Sequence, residues 1–480
     1  MFIGRRHALF SLSATLTAAS WAVDFGLVLP LFGFVKGSNQ FDNHFNMFKK
    51  TWLVIRAVGN IAAFIGYLIS RSVSLRLRRF RYQLSLSTKQ VEHKQLNIVV
   101  IGASMAGYHA AKCIAEAILP SSPFRVIVIE PHDHFHFTWV LPRFSVVEGH
   151  EDKAFIPYGP YFSHIPDGVL RWIQGRALRI TKESVHLSTG ENISYAFLVL
   201  ATGAGAVDAL PSRVDADDKT SGVAKLRDIQ KKIKEAINLV VVGGGAAGVE
   251  LATDAKSLYP EKTVVLVHSR DNVMHRFGPE LQKAATDGLK SLGVESITGD
   301  RLIREDKERG VVVLASGKEI QCDFLVNCVG QKPNSSPMVA LSPKSITSTG
   351  HILAKPTMQI DDDLLPNIYV CGDVAETQAP NPNSRTARGQ ATVVADNVIL
   401  AIDGGEPTNK YKPQWMEGLI KLTLGLDKSV THMGDFNGSE LLFPAKEKDL
   451  ALMAGGAWKH MGATPFRDDT EALQRFIADA

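Results

Sequence analysis

The sequence predicts an α/β fold in which one strand–turn–helix unit is used twice, and three observations carry that prediction. First, the apolar run Asn97-Ile98-Val99-Val100-Ile101 meets a turn of small residues, Gly102-Ala103-Ser104-Met105-Ala106-Gly107. A helix-compatible run, Tyr108 to Ala117, follows it. Second, Leu239-Val240-Val241-Val242 meets a full G-x-G-x-x-G, Gly243 to Gly248, about 140 residues later. Third, Phe197-Leu198-Val199-Leu200-Ala201-Thr202-Gly203 and Phe324-Leu325-Val326-Asn327-Cys328-Val329-Gly330 are strand-to-glycine segments at corresponding places in the two units. Together they describe two Rossmann-like dinucleotide-binding domains, for two dinucleotides or for one dinucleotide on a duplicated scaffold, with a small α+β region after them and a hydrophobic, basic extension before them.

The extension comes first in the chain. Of 480 residues with a net charge of +4, residues 1–96 hold thirteen Lys/Arg against three Asp/Glu. A basic head on a mildly acidic body points to targeting or membrane contact and away from nucleic-acid binding by the body. Apolar stretches run from Ala8 to Val35 and from Thr51 to Ser70, the second followed by Arg71, Arg76, Arg78, Arg79 and Arg81. Four readings stay open: a mitochondrial presequence, a secretory signal, a pair of membrane helices, or an interfacial anchor. The expectation is membrane association, mitochondrial or on the cytoplasmic face of another membrane. A polar linker without periodicity, Gln83 to Gln95, separates head from body.

The first glycine turn opens a helix, whose N-terminus offers free backbone N–H groups and a positive dipole end to a pyrophosphate. About twenty residues on, Val126-Ile127-Val128-Ile129-Glu130 is a second apolar strand ending in a carboxylate, suited to accept ribose hydroxyls. Ser104 stands where a middle glycine is expected; it is small, so close approach survives with less slack. The following loop carries His132, His134 and His136. Alternation puts such histidines on one face, but neither Cys nor a carboxylate cluster accompanies them, so no metal site is expected. Their expected part, with the neighbouring aromatics, is to cover the cofactor. Arg143 has two readings, a pyrophosphate partner or an ordinary ion pair.

In the second unit Thr263-Val264-Val265-Leu266-Val267 ends in His268-Ser269-Arg270, with no acid. A carboxylate there would repel a 2′-phosphate and cations would attract one, so NADPH is favoured, or tolerance of both nicotinamide nucleotides. Lys225 to Ala236 and Pro279 to Leu292 read as helices, and Val311 to Lys318 as a hairpin. Farther on, Gly372-Asp373 follows the strand Asn367 to Cys371. Its Asp can bond a polyol such as a flavin ribityl chain, or serve only as a helix cap. A helix, Thr386 to Ala401, follows, then a tail with strands near Leu419–Leu426 and Leu441–Phe443 and a helix from Asp469 to Ala478. The cysteines Cys113, Cys322, Cys328 and Cys371 include no C-x-x-C pair, which argues against a redox dithiol.

These motifs together resemble the two-dinucleotide-binding-domain flavoproteins of the pyridine nucleotide-disulfide oxidoreductase type. Val241 to Ala252, Leu258 to Lys262 with His268-Ser269, and Asp449-Leu450 through Trp458-Lys459 resemble its apoptosis-inducing-factor-like, ferroptosis-suppressor branch of NAD(P)H:quinone oxidoreductases. The resemblance implies FAD in the first unit, NAD(P)H as co-substrate in the second, and a quinone-type acceptor near the flavin. It implies an FAD-binding domain at 96–220 and 346–410, an NAD(P)H-binding domain at 221–345 and a C-terminal region at 411–480, after the extension 1–82 and linker 83–95. For FAD it implicates Gly102, Ala103, Ser104, Met105, Ala106, Gly107, Glu130, Arg143, Ala177, Thr202, Gly203, Gly372 and Asp373. For the nicotinamide nucleotide it implicates Gly243, Gly245, Gly248, Glu250, Arg270 and Gly330. One departure bears on the acceptor: Asn383-Ser384-Arg385 lacks the lysine that relatives place close to the flavin. Two alternatives remain, a flavin reductase serving a protein partner and a non-enzymatic, flavin-stabilised scaffold.

Overall fold

The structure is a computed structural model that describes residues 95–477, except 119–121, 207–210, 378, 380 and 435–438, together with scattered positions between 51 and 77. The chain divides into two compact units, Met1–Lys94 with Asp435–Phe443, and Gln95–Gly434 with Pro444–Ala480. In the first unit the described residues between 51 and 77 are helical and leave Ile55, Val58, Ile65, Ile69, Val73 and Leu77 exposed. The apolar stretch Ala8–Val35 and most of the linker lie outside the described residues. Among the described residues no helix is long and apolar enough to cross a membrane.

The second unit holds both repeats. In the first, β1 (Leu96–Ile101) leads to α1 (Met105–Ala117), β2 (Phe124–Glu130), β3 (Leu170–Gln174) and β4 (Phe197–Leu200). In the second, α2 (Lys219–Glu235) precedes β5 (Asn238–Val242), α3 (Ala246–Leu258), β6 (Thr263–His268), α4 (Pro279–Leu292), β7 (Glu295–Thr298) and β8 (Phe324–Asn327). The chain then returns as β9 (Ile368–Val370) and α5 (Ser384–Ile402). A five-stranded parallel sheet runs in the order β9-β4-β1-β2-β3, and a four-stranded one in the order β7-β6-β5-β8. Because β9 completes the first sheet after the whole of the second has been built, the second domain is inserted in the first.

Both central strands are apolar on both faces, as a parallel sheet covered by helices requires. Ile98, Val99 and Val100 in β1 and Leu239, Val240 and Val241 in β5 are fully buried. The Ala-rich α1 packs along α5, and Ala110, Ala111, Ala391 and Ala395 are sealed in the same core.

Several boundaries differ from expectation for local reasons. The helix α1 begins at Met105, because Ser104 already takes the extended N-cap conformation. The helix α2 begins at Lys219, six residues before the expected start, opened by Asp218, whose carboxylate accepts the Ser221 N–H at 2.8 Å. Val169 to Ile180 alternates in sequence like one strand, but the chain breaks at Gly175-Arg176: Ala177–Ile180 joins a separate antiparallel sheet with Ser184–Leu187 and Asn192–Ser194. The tail contains the antiparallel pair β10 (Ile420–Thr423) and β11 (Lys428–Gly434) and the final helix Glu471–Ile477. It also contains an unexpected helix, Ala454–His460, anchored by the buried Trp458, whose Nε1 donates to the Lys153 carbonyl at 2.9 Å.

Candidate functional site

Each repeat closes its strand–turn–helix corner with the same contact. A methyl added to Gly107 would lie 1.8 Å from the Gly102 carbonyl oxygen, and one added to Gly248 would lie 1.9 Å from the Gly243 oxygen. The first and last glycines of each turn are therefore held by the protein itself, and Gly102 and Gly243 also sit at φ +94° and +115°. The middle position is different. Ser104 and Gly245 are the N-caps of α1 and α3, with φ near −80° and extended ψ, and a Cβ on Gly245 meets open space. Any residue adopts that backbone, so Ser104 is tolerated here. What it reduces is room in front of the helix, where a pyrophosphate would lie.

Around the first turn the structure gathers most of the expected residues. Glu130, buried at the end of β2, accepts the Ala103 N–H at 2.5 Å through one oxygen; through the other it accepts the His132 N–H at 3.0 Å and Nδ1 at 2.5 Å. A Cβ on Gly372 would stand 2.9 Å from that of Ala106, so the Gly372-Asp373 turn lies against the first turn of α1, beside Met105. The Gly372 N–H donates to Gln390 Oε1 of α5 at 2.8 Å, and Asp373 accepts Arg213 Nη2 at 2.9 Å. Thr202 Oγ1 donates to the Asn334 carbonyl, and Asn334 returns bonds to the carbonyls of Thr202 and Gly203. The antiparallel pair Ala204↔Pro333, Gly205↔Lys332 and Ala206↔Gln331 extends this stitch. It joins the chain leaving β4 to the chain leaving β8, and so brings Gly203 of one repeat and Gly330 of the other to one ribbon.

Three expected residues are placed otherwise. Of the two readings of Arg143, the structure shows the ion pair, and shows it buried: the residue is 1% exposed, with Nε donating to Asp254 Oδ2 at 2.6 Å and Nη2 to the Gly425 carbonyl at 3.0 Å. It ties the first repeat to α3 and the tail. Glu250, on α3, turns its carboxylate to Thr423, accepting the backbone N–H at 3.0 Å and Oγ1 at 3.3 Å. Burial raises the carboxyl of Glu250 to about 7 against the Thr423 bonds, and that of Asp254 to about 6 against the charge of Arg143. Ala177 begins its antiparallel strand and packs in the core beneath the first sheet.

Arg270 is exposed past the end of β6, and its cation acts with burial and His275 to lower the pKa of His268. His268 itself supports the second turn: Nδ1 accepts the Gly244 N–H at 3.1 Å, and Nε2 meets His275 Nδ1 at 3.3 Å. Arg213 and Asn334, which hold Asp373 and Thr202, are marked by no motif, whereas Gln390, which holds Gly372, stands near the start of the helix the sequence predicts over Thr386–Ala401. At the head of α5, Asn383 caps the helix by accepting the N–H groups of Arg385 and Thr386. Burial lowers the Arg385 guanidinium to about 10; it donates to the Leu419 carbonyl and stands 5.8 Å from the Trp139 ring. None of the described cysteines forms a disulfide, and among the described residues no three His, Cys, Asp or Glu side chains converge on a metal geometry.

The pyridine nucleotide-disulphide oxidoreductase family model matches residues 96–402, which span both sheets and both glycine turns. The chain belongs to that family. A curated relative, Fe-regulated protein 8 of Mycosarcoma maydis, is 35% identical over 72% of this chain and 90% of its own. Ferroptosis suppressor protein 1 of Xenopus tropicalis is 28% identical over 79% of this chain and 99% of its own. Among solved structures, the sulfide:quinone oxidoreductase of Aquifex aeolicus superposes with a TM-score of 0.61 at 16% identity, covering 77% of this chain and 92% of that one, which shows a shared fold. This family member is an FAD-dependent NAD(P)H oxidoreductase. Its two glycine cradles, each shaped so that no side chain enters the corner, fit two dinucleotides.

Proposed function

We propose that the protein passes electrons from NAD(P)H through FAD to a lipophilic quinone, at a membrane held by residues 1–82. The observation that carries this is the ribbon Ala204–Ala206 with Gln331–Pro333, which joins the exits of the two nucleotide units at one place. Bound flavin accepts a hydride equivalent and hands electrons on; the chain supplies position and charge. The N–H groups at the head of α1 would hold the FAD pyrophosphate, Glu130 would accept ribose hydroxyls, and Asp373, oriented by Arg213, would bond the polyol. The N–H groups at the head of α3 would hold the second pyrophosphate, and Gly330 would let the nicotinamide end approach backbone. The dipole at the head of α5 and the buried Arg385 favour negative charge nearby. The chain has no C-x-x-C pair to act as a dithiol relay, so the acceptor would be served at the flavin site itself, and a membrane-dissolved acceptor suits the basic, apolar head.

Anaerobic stopped-flow bleaching by NADH and NADPH, then reoxidation by ubiquinone analogues and by ferredoxin-type proteins, tests the assignment. Rapid reoxidation by quinone supports it. Quinone no faster than buffer, with a fast protein acceptor, replaces it with the reductase reading. The exposed Arg270 is the proposed 2′-phosphate contact: Arg270→Ala raises the KM for NADPH about 10-fold and leaves that for NADH unchanged. Recovery of the full chain in membrane fractions, lost on removing residues 1–82, checks the anchoring.

A further inference from the structure

The first compact unit carries an exposed apolar helical face. Between 51 and 77 the described residues are helical, and Ile55, Val58, Ile65, Ile69, Val73 and Leu77 are each 37–55% exposed. They follow one another at spacings of three, four and seven, so at about 100° per residue they share one stripe, about 33 Å from end to end. The described polar side chains between Ile55 and Leu77, which are Arg56, Tyr67, Ser70, Arg71 and Ser74, fall together on a separate arc. A continuous exposed stripe of large aliphatic side chains marks a surface that something covers.

Charge indicates what covers it. From Thr51 to Val91 the sequence has no Asp or Glu, and it holds six arginines, five of them from Arg71 to Arg81. An apolar stripe running into an arginine cluster fits a lipid bilayer with acidic headgroups, apolar below and anionic above. The apolar stretch Ala8–Val35 of the same chain is a poorer match, because its sole acid, Asp24, leaves most of that charge uncompensated. The arginines also fix the posture. Arg56 and Arg71 bound an uncharged run of 14 residues, 57–70, which as a helix reaches about 21 Å, short of the hydrocarbon core of about 30 Å. Both lie on the polar arc, where a helix lying in the headgroup plane keeps them in water.

We propose that residues 51–77 are an interfacial anchor that lies flat on an anionic bilayer, with the Ile55–Leu77 stripe at the acyl boundary and the arginines from Arg71 to Arg81 at the acidic headgroups. This deepens, and rests on, the proposed attachment of the protein to a membrane through residues 1–82.

The test uses the full chain and flotation with vesicles of phosphatidylcholine alone or mixed with phosphatidylserine. The expected result is binding to the mixed vesicles that high salt and Arg76→Gln/Arg78→Gln/Arg79→Gln each weaken about 10-fold or more. Ile65→Gln/Ile69→Gln strips two aliphatic chains without adding charge and weakens binding by about 10-fold or more, whereas Ser70→Gln/Ser74→Gln on the polar arc binds as the parent does. Alkaline carbonate releases the protein from membrane fractions. Binding that is absent, or equal for the two vesicle types, overturns the proposal, as does resistance to carbonate, which marks a spanning helix. Parental vesicle binding by Ile65→Gln/Ile69→Gln overturns it too, and with a lower melting temperature it marks a face covered by protein. Reduction of a water-soluble quinone by NAD(P)H, measured on the same proteins, reads the proposed electron transfer separately. If that reduction is absent while anionic vesicles are bound as expected, the acceptor assignment fails and the anchor stands.

Discussion

Arg143 and Glu250 show how a side chain with an obvious functional reading can be claimed by packing. The guanidinium of Arg143 is sealed against Asp254, and a buried carboxylate stripped of its cation is costly, so Arg143→Met should destabilise the fold by about 3–5 kcal/mol. A phosphate ligand would instead affect FAD affinity. Denaturant unfolding alongside FAD titration separates the two, and the expected outcome is lost stability with FAD affinity retained well below the melting point. Glu250 gives a pH signature. Its carboxyl, raised from 4.5 to about 7 by burial, binds a proton more tightly in the folded protein. Stability is therefore undiminished below pH 4.5 and declines as pH rises through 7. Glu250→Gln keeps an acceptor for the Thr423 N–H and removes the charge. Melting curves should coincide near pH 5, and the variant should melt higher at pH 8.

At the scale of elements, the two strand–glycine–helix corners are near copies with separable jobs. A methyl at Gly107 or Gly248 meets a carbonyl oxygen under 2 Å away, so each substitution opens one corner and leaves the other intact. Gly107→Ala should purify without flavin colour. Gly248→Ala should keep its flavin spectrum but resist bleaching by either nicotinamide nucleotide. Absorbance spectra before and after NAD(P)H addition check both. These corners were legible because their cause is local: a β-branched run, a turn that only small residues can make, and a helix. Where pairing is decided far along the chain the sequence was silent. Arg143 meets a partner 111 positions away, and Arg213 reaches Asp373 across 160. Helix starts were missed by a few residues because caps such as Asp218 act through one hydrogen bond.

Across the whole molecule, the return of β9 to the first sheet means that the inserted repeat is bounded by two chain passes. Those passes are bonded to each other, Ala204–Ala206 against Gln331–Pro333. A pair of strands joined by main-chain hydrogen bonds resists bending where a single linker would act as a swivel. The paired strands lead to the expectation that nicotinamide nucleotides exchange without the lobes parting. Cysteines at the facing positions Gly205 and Lys332 are close enough to bridge. Turnover by the oxidised Gly205→Cys/Lys332→Cys double variant should match that of its reduced form. Collapse of the rate on oxidation, restored by dithiothreitol, would mean that the lobes breathe apart at this seam in every catalytic cycle.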